Sequence, residues 1–230
     1  MHLKEILNEA PFTDKQEERF LNALRQDVKK RGEWPPESKI GQMVRKVSPP
    51  ARKVGSGMFS DVYGRNRSSV VIKLTNEEDP MALKFLRYAK KHNNPHLPKV
   101  FSLQKVITKE QDYTGELVPT INFYARMERL NKLVPKKYPW KPEHYPFLVW
   151  MRRRGHLEQA WRVDDYIPNW EEIRITGKDI KATKLTRTLD TLARLRGKGE
   201  GLDIAIGPSG GHNIMVRPGT NELVIHDPFA

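Results

Sequence analysis

Hydrophobic positions in the first fifty residues recur at helical spacing. Phe20, Leu21, Leu24 and Val28 share one face behind Thr13 and Gln16, a pair suited to a capping box, and Pro35-Pro36 ends the run. Ile40, Met43, Val44 and Val47 make a second, shorter amphipathic stretch over 37–47, closed by Pro49-Pro50. From Arg52 the pattern changes. ARKVGSGMFSDVYG and SSVVIKLT are alternating or continuous apolar runs separated by Arg65-Asn66-Arg67, the signature of a hairpin or meander. Asp79-Pro80 then opens an amphipathic helix with Ala82, Leu83, Leu86 and Ala89 inward, and strands are expected around Val100–Val106 and Ile121–Met127. Beyond Glu128 the pattern is mainly helical, with helices expected over 143–162 and 178–196. Two short strands follow around Asn213–Val216 and Leu223–His226. No internal repeat or low-complexity segment interrupts this order.

Strands first and helices afterwards predict an α+β fold with a small β-rich lobe and a mainly helical one. The pattern divides the chain into a helical extension over 1–47, a β-rich lobe over 48–128 and a helical lobe over 129–230. At 230 residues such a chain buries a core without disulfide or metal staples. The absence of Cys excludes disulfides, thiolate metal sites and cysteine nucleophiles. No run approaches the roughly 18 apolar residues of a membrane span, and MHLKEILNEAPF mixes charge into its apolar positions, so a cytoplasmic protein is expected.

The net charge of +13, from 41 Lys and Arg against 28 Asp and Glu, favours anionic partners such as nucleotide phosphates, nucleic acid or acidic protein surfaces. Lys132, Lys136, Lys137, Lys141 and Arg152–Arg154 are interleaved with Tyr138, Trp140, Tyr145 and Trp150, a mix able to bind nucleic acid by charge and stacking. No recognised nucleic-acid motif accompanies it, and a solvated basic face explains it equally well. Nucleic acid is therefore not expected as the main partner.

Two segments carry candidate chemistry. Gly55-Ser56-Gly57-Met58-Phe59-Ser60 lies between strand-like runs, where backbone N–H groups can approach phosphate without Cβ interference, although glycines at a hairpin equally serve a turn. Lys73 follows on the apolar strand Val71-Ile72-Lys73, where its ammonium must either reach solvent or meet an anion. Near the C-terminal end, His212-Asn213-Ile214-Met215-Val216 turns through Arg217–Thr220 into Leu223–Pro228. Asn213 and Asp227 then fall at neighbouring points of one hairpin, an amide oxygen and a carboxylate suited to Mg²⁺. Taken singly, Asn213 is a turn former and Asp227 a cap before proline; their order behind the loop and lysine favours a nucleotide site.

The segments GSGMFSDVY, VVIK, ARMERL, GGHNIM and IHDP together resemble the protein-kinase fold, most closely the early Ser/Thr protein kinases of podovirus-type bacteriophages, over roughly Val47 to the C-terminal end. The resemblance implies a two-lobed kinase-like fold that binds ATP and Mg²⁺. It implies Gly55, Ser56, Gly57, Phe59 and Ser60 over the phosphates, Lys73 on the α- and β-phosphates, and Glu128 to Leu130 as the hinge beside adenine. It further implies Asn213 and Asp227 as metal ligands and Asp203 as the candidate catalytic base. The expected activity is phosphoryl transfer to Ser or Thr of a protein, a host protein if the chain is phage-encoded, in the host cytoplasm. The alternatives are a pseudokinase that binds nucleotide or a host factor, and a small-molecule phosphotransferase, which shares the lobe and hairpin but normally has a longer helical C-terminal part.

Four departures qualify the resemblance. Ser60 replaces the third loop glycine. The helix after Lys73 carries Glu77, Glu78 and Asp79 only at its start, leaving the lysine's usual partner open. The position five residues before Asn213 is Pro208, whereas Asp203 lies ten before, so either an extended loop over 207–211 presents Asp203 or the base is lost. Finally, the sequence runs only to Ala230, so recognition of a protein substrate is expected from the region between Leu130 and Lys198, the N-terminal helices or a partner. His212 and His226 flank the hairpin and are taken as hydrogen-bonded scaffold. Ser209 lacks a hydrolase elbow context, and Met127, Met151 and Met215 are taken as core.

Overall fold

The computed structural model describes residues 12–57, 60–66, 68–75, 80–111, 114–157, 175–197, 201–207 and 210–229. The chain forms two compact units, one comprising residues up to Lys90 with Lys99–Arg129, the other Lys91–Pro98 with Leu130–Ala230. The secondary structure is mixed α and β, built around a five-stranded antiparallel sheet in the first unit.

In the first unit, α1 (Asp14–Arg31) starts at a true capping box. The Thr13 hydroxyl accepts from Gln16 N at 3.2 Å, and Gln16 Oε1 accepts from Thr13 N at 2.9 Å. Gly32, at φ 83°, ends the helix by donating to Val28 O, a left-handed cap that costs glycine nothing. The Gln16 amide reaches on to Val47 O at 2.9 Å, joining α1 to the end of α2 (Glu37–Val47). Next come β1 (Arg52–Gly57), β2 (Ser60–Gly64), β3 (Val70–Thr75), α3 (Pro80–Lys91), β4 (Val100–Gln111) and β5 (Leu117–Glu128), with sheet order β1-β2-β3-β5-β4.

Alternation along β3 assigns its two faces. Ile72 and Leu74 join Tyr63, Val106 and Tyr124 in one core with Phe20, Leu24, Ile40 and Val44 of the two helices, while Val71, Lys73 and Thr75 point to the other face. The N-terminal helices are thus an integral layer on this sheet. Arg126 of β5 pins the layer, pairing with Asp14 at 2.5 Å and Glu17 at 2.9 Å and donating to Phe12 O at 2.9 Å.

Strands β4 and β5 are longer than their apolar cores suggest. Pairing continues from Val100↔Met127 out to Gln111↔Leu117. Polar residues hide this extension in the sequence: Thr108, Thr120 and Asn122 are buried, and the Asn122 amide donates to the Thr108 hydroxyl at 2.9 Å. Lys109 N also donates to Gly32 O, fastening the end of α1 to β4 at 2.9 Å.

In the second unit, β6 (Asn131–Lys132), β9 (Ile214–Val216) and β10 (Leu223–Ile225) form a small antiparallel sheet in the order β10-β9-β6. Helices α4 (Tyr145–Arg153), α5 (Gly177–Ala182) and α6 (Lys184–Arg196) pack together through Phe147, Leu148, Met151, Leu185, Leu189 and Leu192, all buried. A two-stranded hairpin, β7 (Ala205–Gly207) with β8 (Gly210–His212), precedes β9. Residues 91–98 belong to this unit because the Arg217 guanidinium donates to Pro95 O (2.6 Å) and Leu97 O (3.0 Å), and Ile225 N donates to His96 O (3.0 Å).

Two expected elements are corrected. The helix expected over 178–196 is broken at Thr183, whose extended backbone ends α5 and whose hydroxyl accepts from Thr186 N to cap α6. The helix expected over 143–162 is a 3-10 turn, Pro142–His144, followed by α4, which stops at Arg153. Gly155 takes φ 72°, and His156 N turns back to Met151 O at 2.9 Å, so the chain leaves the helical path although apolar spacing continues to Leu157. Residues 158–162 lie outside the described residues. Among the described residues no helix is long and apolar enough to cross a membrane.

Candidate active site

Each unit contributes its own group of candidate residues. In the first, β1 and β2 pair through Gly55↔Val62, Ser56↔Asp61 and Gly57↔Ser60, so the glycine-rich segment is the closed end of a hairpin, with a bulge between Lys53 and Gly55. Phe59 lies outside the described residues, as do Glu77, Glu78, Asp79, Pro208 and Ser209. A Cβ placed on Gly55 would meet only Val62 Cβ at 3.8 Å, an ordinary contact. Packing inside the protein does not demand glycine there; close approach by a ligand would. Behind the hairpin, the Lys53 ammonium bridges Asp61 (2.7 Å) and Glu37 (2.9 Å), and these two acceptors raise its pKa. That bridge ties the glycine hairpin to α2.

Lys73 sits at the middle of the sheet, opposite Val62 on β2 and Ala125 on β5, and is only 2% exposed. A lysine this buried is held for a charge interaction, because desolvating an ammonium costs several kcal/mol, on the order of an entire hydrogen-bond network, unless anionic groups offset it. Helix α3, PMALKFLRYAKK, contains no acidic residue. Glu128 closes β5 and is buried; its carboxylate accepts from Lys99 N at 2.9 Å, while its own N–H donates to Lys99 O at 2.9 Å. Leu130 is the first residue of the following unit.

The second unit gathers Asp203, Asn213 and Asp227. The Asn213 side-chain amide donates both to the Asp203 main-chain carbonyl (2.8 Å) and to its carboxylate (3.0 Å). Asp203 N donates to Pro228 O at 2.8 Å, and His226 N donates to Asn213 O at 2.8 Å. Two backbone hydrogen bonds and the Asn213 amide therefore lock the segments bearing the three residues to one another. The nine residues between Asp203 and Asn213 are taken up by the β7–β8 hairpin, which returns the chain to its starting point. Gly211 permits this: a Cβ there would stand 2.7 Å from Ile214 O and 2.9 Å from Leu133 Cδ2.

Asn213 and Asp227 both adopt left-handed backbone, at φ 53° and 52°. Such non-glycine conformations cost about 1–2 kcal/mol each and concentrate where a side chain must be aimed at a ligand. With the Asn213 Nδ2 atom committed to Asp203, its Oδ1 atom is the acceptor that remains. An amide oxygen and a neighbouring carboxylate are hard donors that fit a divalent cation sharing its coordination with phosphate oxygens and water. Among the described residues no cluster of three or more His, Cys, Asp or Glu is placed to hold a metal ion.

His156 is a neighbour that the pattern of residues did not single out. It lies in the turn after α4, stacks on Trp150 with ring centroids 5.4 Å apart, and its carbonyl accepts from Ile206 N at 3.0 Å. Burial and the Arg154 charge hold its imidazole below the ordinary histidine range, while an Ile204 backbone hydrogen bond and the Asp203 charge oppose them. A lone histidine behind three arginines carries no sequence signal for this position.

No family model matches the chain, and no curated protein matches it. Among solved structures it is similar to a thermostable mutant of the aminoglycoside phosphotransferase APH(4)-Ia, in ternary complex with AMP-PNP and hygromycin B. The identity is 11% and the TM-score 0.30, over 78% of this chain and 66% of that one, so this chain covers just under two thirds of that protein's length.

Proposed function

We propose that the chain is a protein-kinase-like phosphotransferase that moves the γ-phosphoryl group of ATP to a Ser or Thr hydroxyl of a protein. The observation that carries this reading is the linked set Asp203–Asn213–Asp227, two of whose members hold strained left-handed backbone. The buried Lys73 and the glycine hairpin, whose Gly55 is not demanded by packing, support it from the first unit.

In the proposed reaction the hydroxyl oxygen bonds to the γ-phosphorus as the bond from phosphorus to the ADP oxygen breaks, and the hydroxyl proton passes to the Asp203 carboxylate. Asn213 orients that carboxylate through its amide. Lys73 neutralises charge on the α- and β-phosphates, and the hairpin N–H groups of Gly55 to Gly57 cover the phosphate chain. Asn213 Oδ1 and Asp227 would hold Mg²⁺, which would supply charge stabilisation for the phosphates. The protein acceptor, a host protein if the gene is a phage's, rests on the resemblance of GSGMFSDVY, VVIK, GGHNIM and IHDP to phage Ser/Thr kinases. The lack of any acid in α3 favours a second reading, a nucleotide-binding pseudokinase without transfer activity.

The purified chain, incubated with γ-labelled ATP, Mg²⁺ and a bacterial lysate, is expected to label Ser or Thr of one or a few proteins, and Lys73→Ala, Asp203→Ala and Asp227→Ala are each expected to abolish labelling. ATP-dependent thermal stabilisation without labelling selects the pseudokinase. Neither labelling nor stabilisation rejects both readings.

A further inference from the structure

The second unit contains a cavity of about 390 Å³ between the 138–144 segment, the start of α6 and the β9–β10 turn. This is far more than one water needs and within the roughly 300–1,000 Å³ span of small-molecule sites. It lies at the turn end of the β9–β10 hairpin, bordered by Thr220, Asn221 and Glu222, whereas Asn213 and Asp227 stand at the hairpin's other end. No residue of the candidate active site lines it.

The charged groups on its wall are unequal in availability. Glu222 is occupied by Arg217, with which it forms an ion pair, and by the Thr220 hydroxyl at 3.2 Å. Glu143 faces Lys141 at 4.0 Å at the rim, where both side chains are more than half exposed. Lys184 completes the set, so the wall carries two lysines, one of them paired with Glu143 at the rim, while Glu222 is neutralised by Arg217. Two histidines lie inside. The Nδ1 atom of His144 accepts from Lys141 N at 3.0 Å, and its Nε2 atom meets the Tyr138 hydroxyl at 3.3 Å, which in turn donates to Asn221 O at 2.7 Å. Both ring nitrogens of His144 are therefore engaged in the neutral form. His96 differs: Nδ1 donates to Leu223 O at 2.9 Å, which leaves Nε2 as the ring atom able to serve a ligand.

We propose that this cavity is a second ligand site, taking a small dianion of the phosphate-monoester kind between Lys141, Lys184 and the imidazole of His96. Burial first, then Lys184 and Arg217, hold empty His96 below the ordinary histidine range, against the Leu223 hydrogen bond and Glu222. A dianion reverses that balance. Binding draws a proton onto Nε2, which then donates to the anion, so affinity rises as pH falls. His144, Tyr138, Lys141 and Glu143 complete the titratable wall.

The test uses the full chain and two probes: sulfate, whose charge stays constant across this pH range, and glycerol 3-phosphate. Calorimetric titration is expected to show saturable binding of both, tightening about tenfold for sulfate between about pH 8 and about pH 6, with the His96 ring resonances moving on binding. The double variant Lys141→Ala, Lys184→Ala is expected to bind at least about tenfold more weakly. Lys73→Met, which removes the cation that would hold an anion at the nucleotide site, is expected to bind as the wild type does, which separates the two sites. Absence of saturation in the millimolar range, an affinity independent of pH, or loss of binding in Lys73→Met overturns the proposal, and the wild-type pH series decides it even if the double variant does not fold. The outcome is independent of whether the chain transfers phosphate.

Discussion

Asn213 donates from one amide nitrogen to both the main-chain carbonyl and the carboxylate of Asp203, ten positions earlier in the chain. Its backbone is left-handed, so its side chain and its main chain carry separate demands. Asn213→Gly keeps the backbone and removes the amide; Asn213→Ala removes the amide and adds about 1 kcal/mol of strain. Both are expected to lose at least about 100-fold in phosphoryl transfer. The alanine variant is expected to melt lower than the glycine variant in a thermal scan, and equal melting temperatures would show that the backbone conformation stores no strain.

Lys73 is expected to serve the ligand more than the fold. Lys73→Met keeps volume and removes the ammonium, so ATP-dependent stabilisation is expected to disappear. A fall of more than about 5 °C would instead make Lys73 a structural ion-pair residue.

Arg126 carries the opposite expectation. It pairs with Glu17, itself buried, and with Asp14, and also donates to Phe12 O. Arg126→Met leaves the Glu17 carboxylate buried without its cation and is expected to cost about 3 kcal/mol in denaturant unfolding. The double variant Arg126→Met, Glu17→Gln is expected to recover part of that loss, because the stranded charge is gone.

Acid sensitivity follows from three histidines. Burial is the first cause holding His96, His144 and His156 below the ordinary value. The unfolded chain therefore binds more protons than the folded one as pH drops below about 6.5. Their contribution to stability is complete above that pH and is lost as pH falls toward the folded-state values. Melting temperature without added anions is expected to decline between about pH 7 and about pH 5, and His144→Gln is expected to flatten the decline.

Gly211 is the steric condition for the β7–β8 excursion. Gly211→Ala is expected to destabilise by roughly 1–3 kcal/mol, since its Cβ would meet a backbone oxygen that cannot turn aside. Circular dichroism and chemical unfolding would register the loss, and a neutral result would mean that β8 moves freely from Leu133.

Where local pattern and local structure coincide, the sequence was enough. Thr13 and Gln16 announce the start of α1, the face formed by Ile40, Met43 and Val44 announces α2, and VVIKL announces β3. It failed where a distant surface decides. Leu157 continues the apolar spacing of α4, yet Gly155 has already turned the chain out of the helix. The polar ends of β4 and β5 look like loop because Thr108, Thr120 and Asn122 take buried positions there, with the Asn122 amide donating to the Thr108 hydroxyl. At the site, Asn213 and Asp227 were legible as neighbours through the turn between them. The position of Asp203 was not, because only the fold of 205–212 brings it to Asn213.

The shared core of α1, α2 and the sheet bears on how the first unit opens. Phe20 and Leu24 lie against the same buried cluster as Ile72 and Leu74, the residues on either side of Lys73. Amide protons of β3 are therefore expected to exchange together with those of α1, as one cooperative block and at the slow end of the protein's range. The strand that holds the lysine cannot loosen until the N-terminal helices leave it.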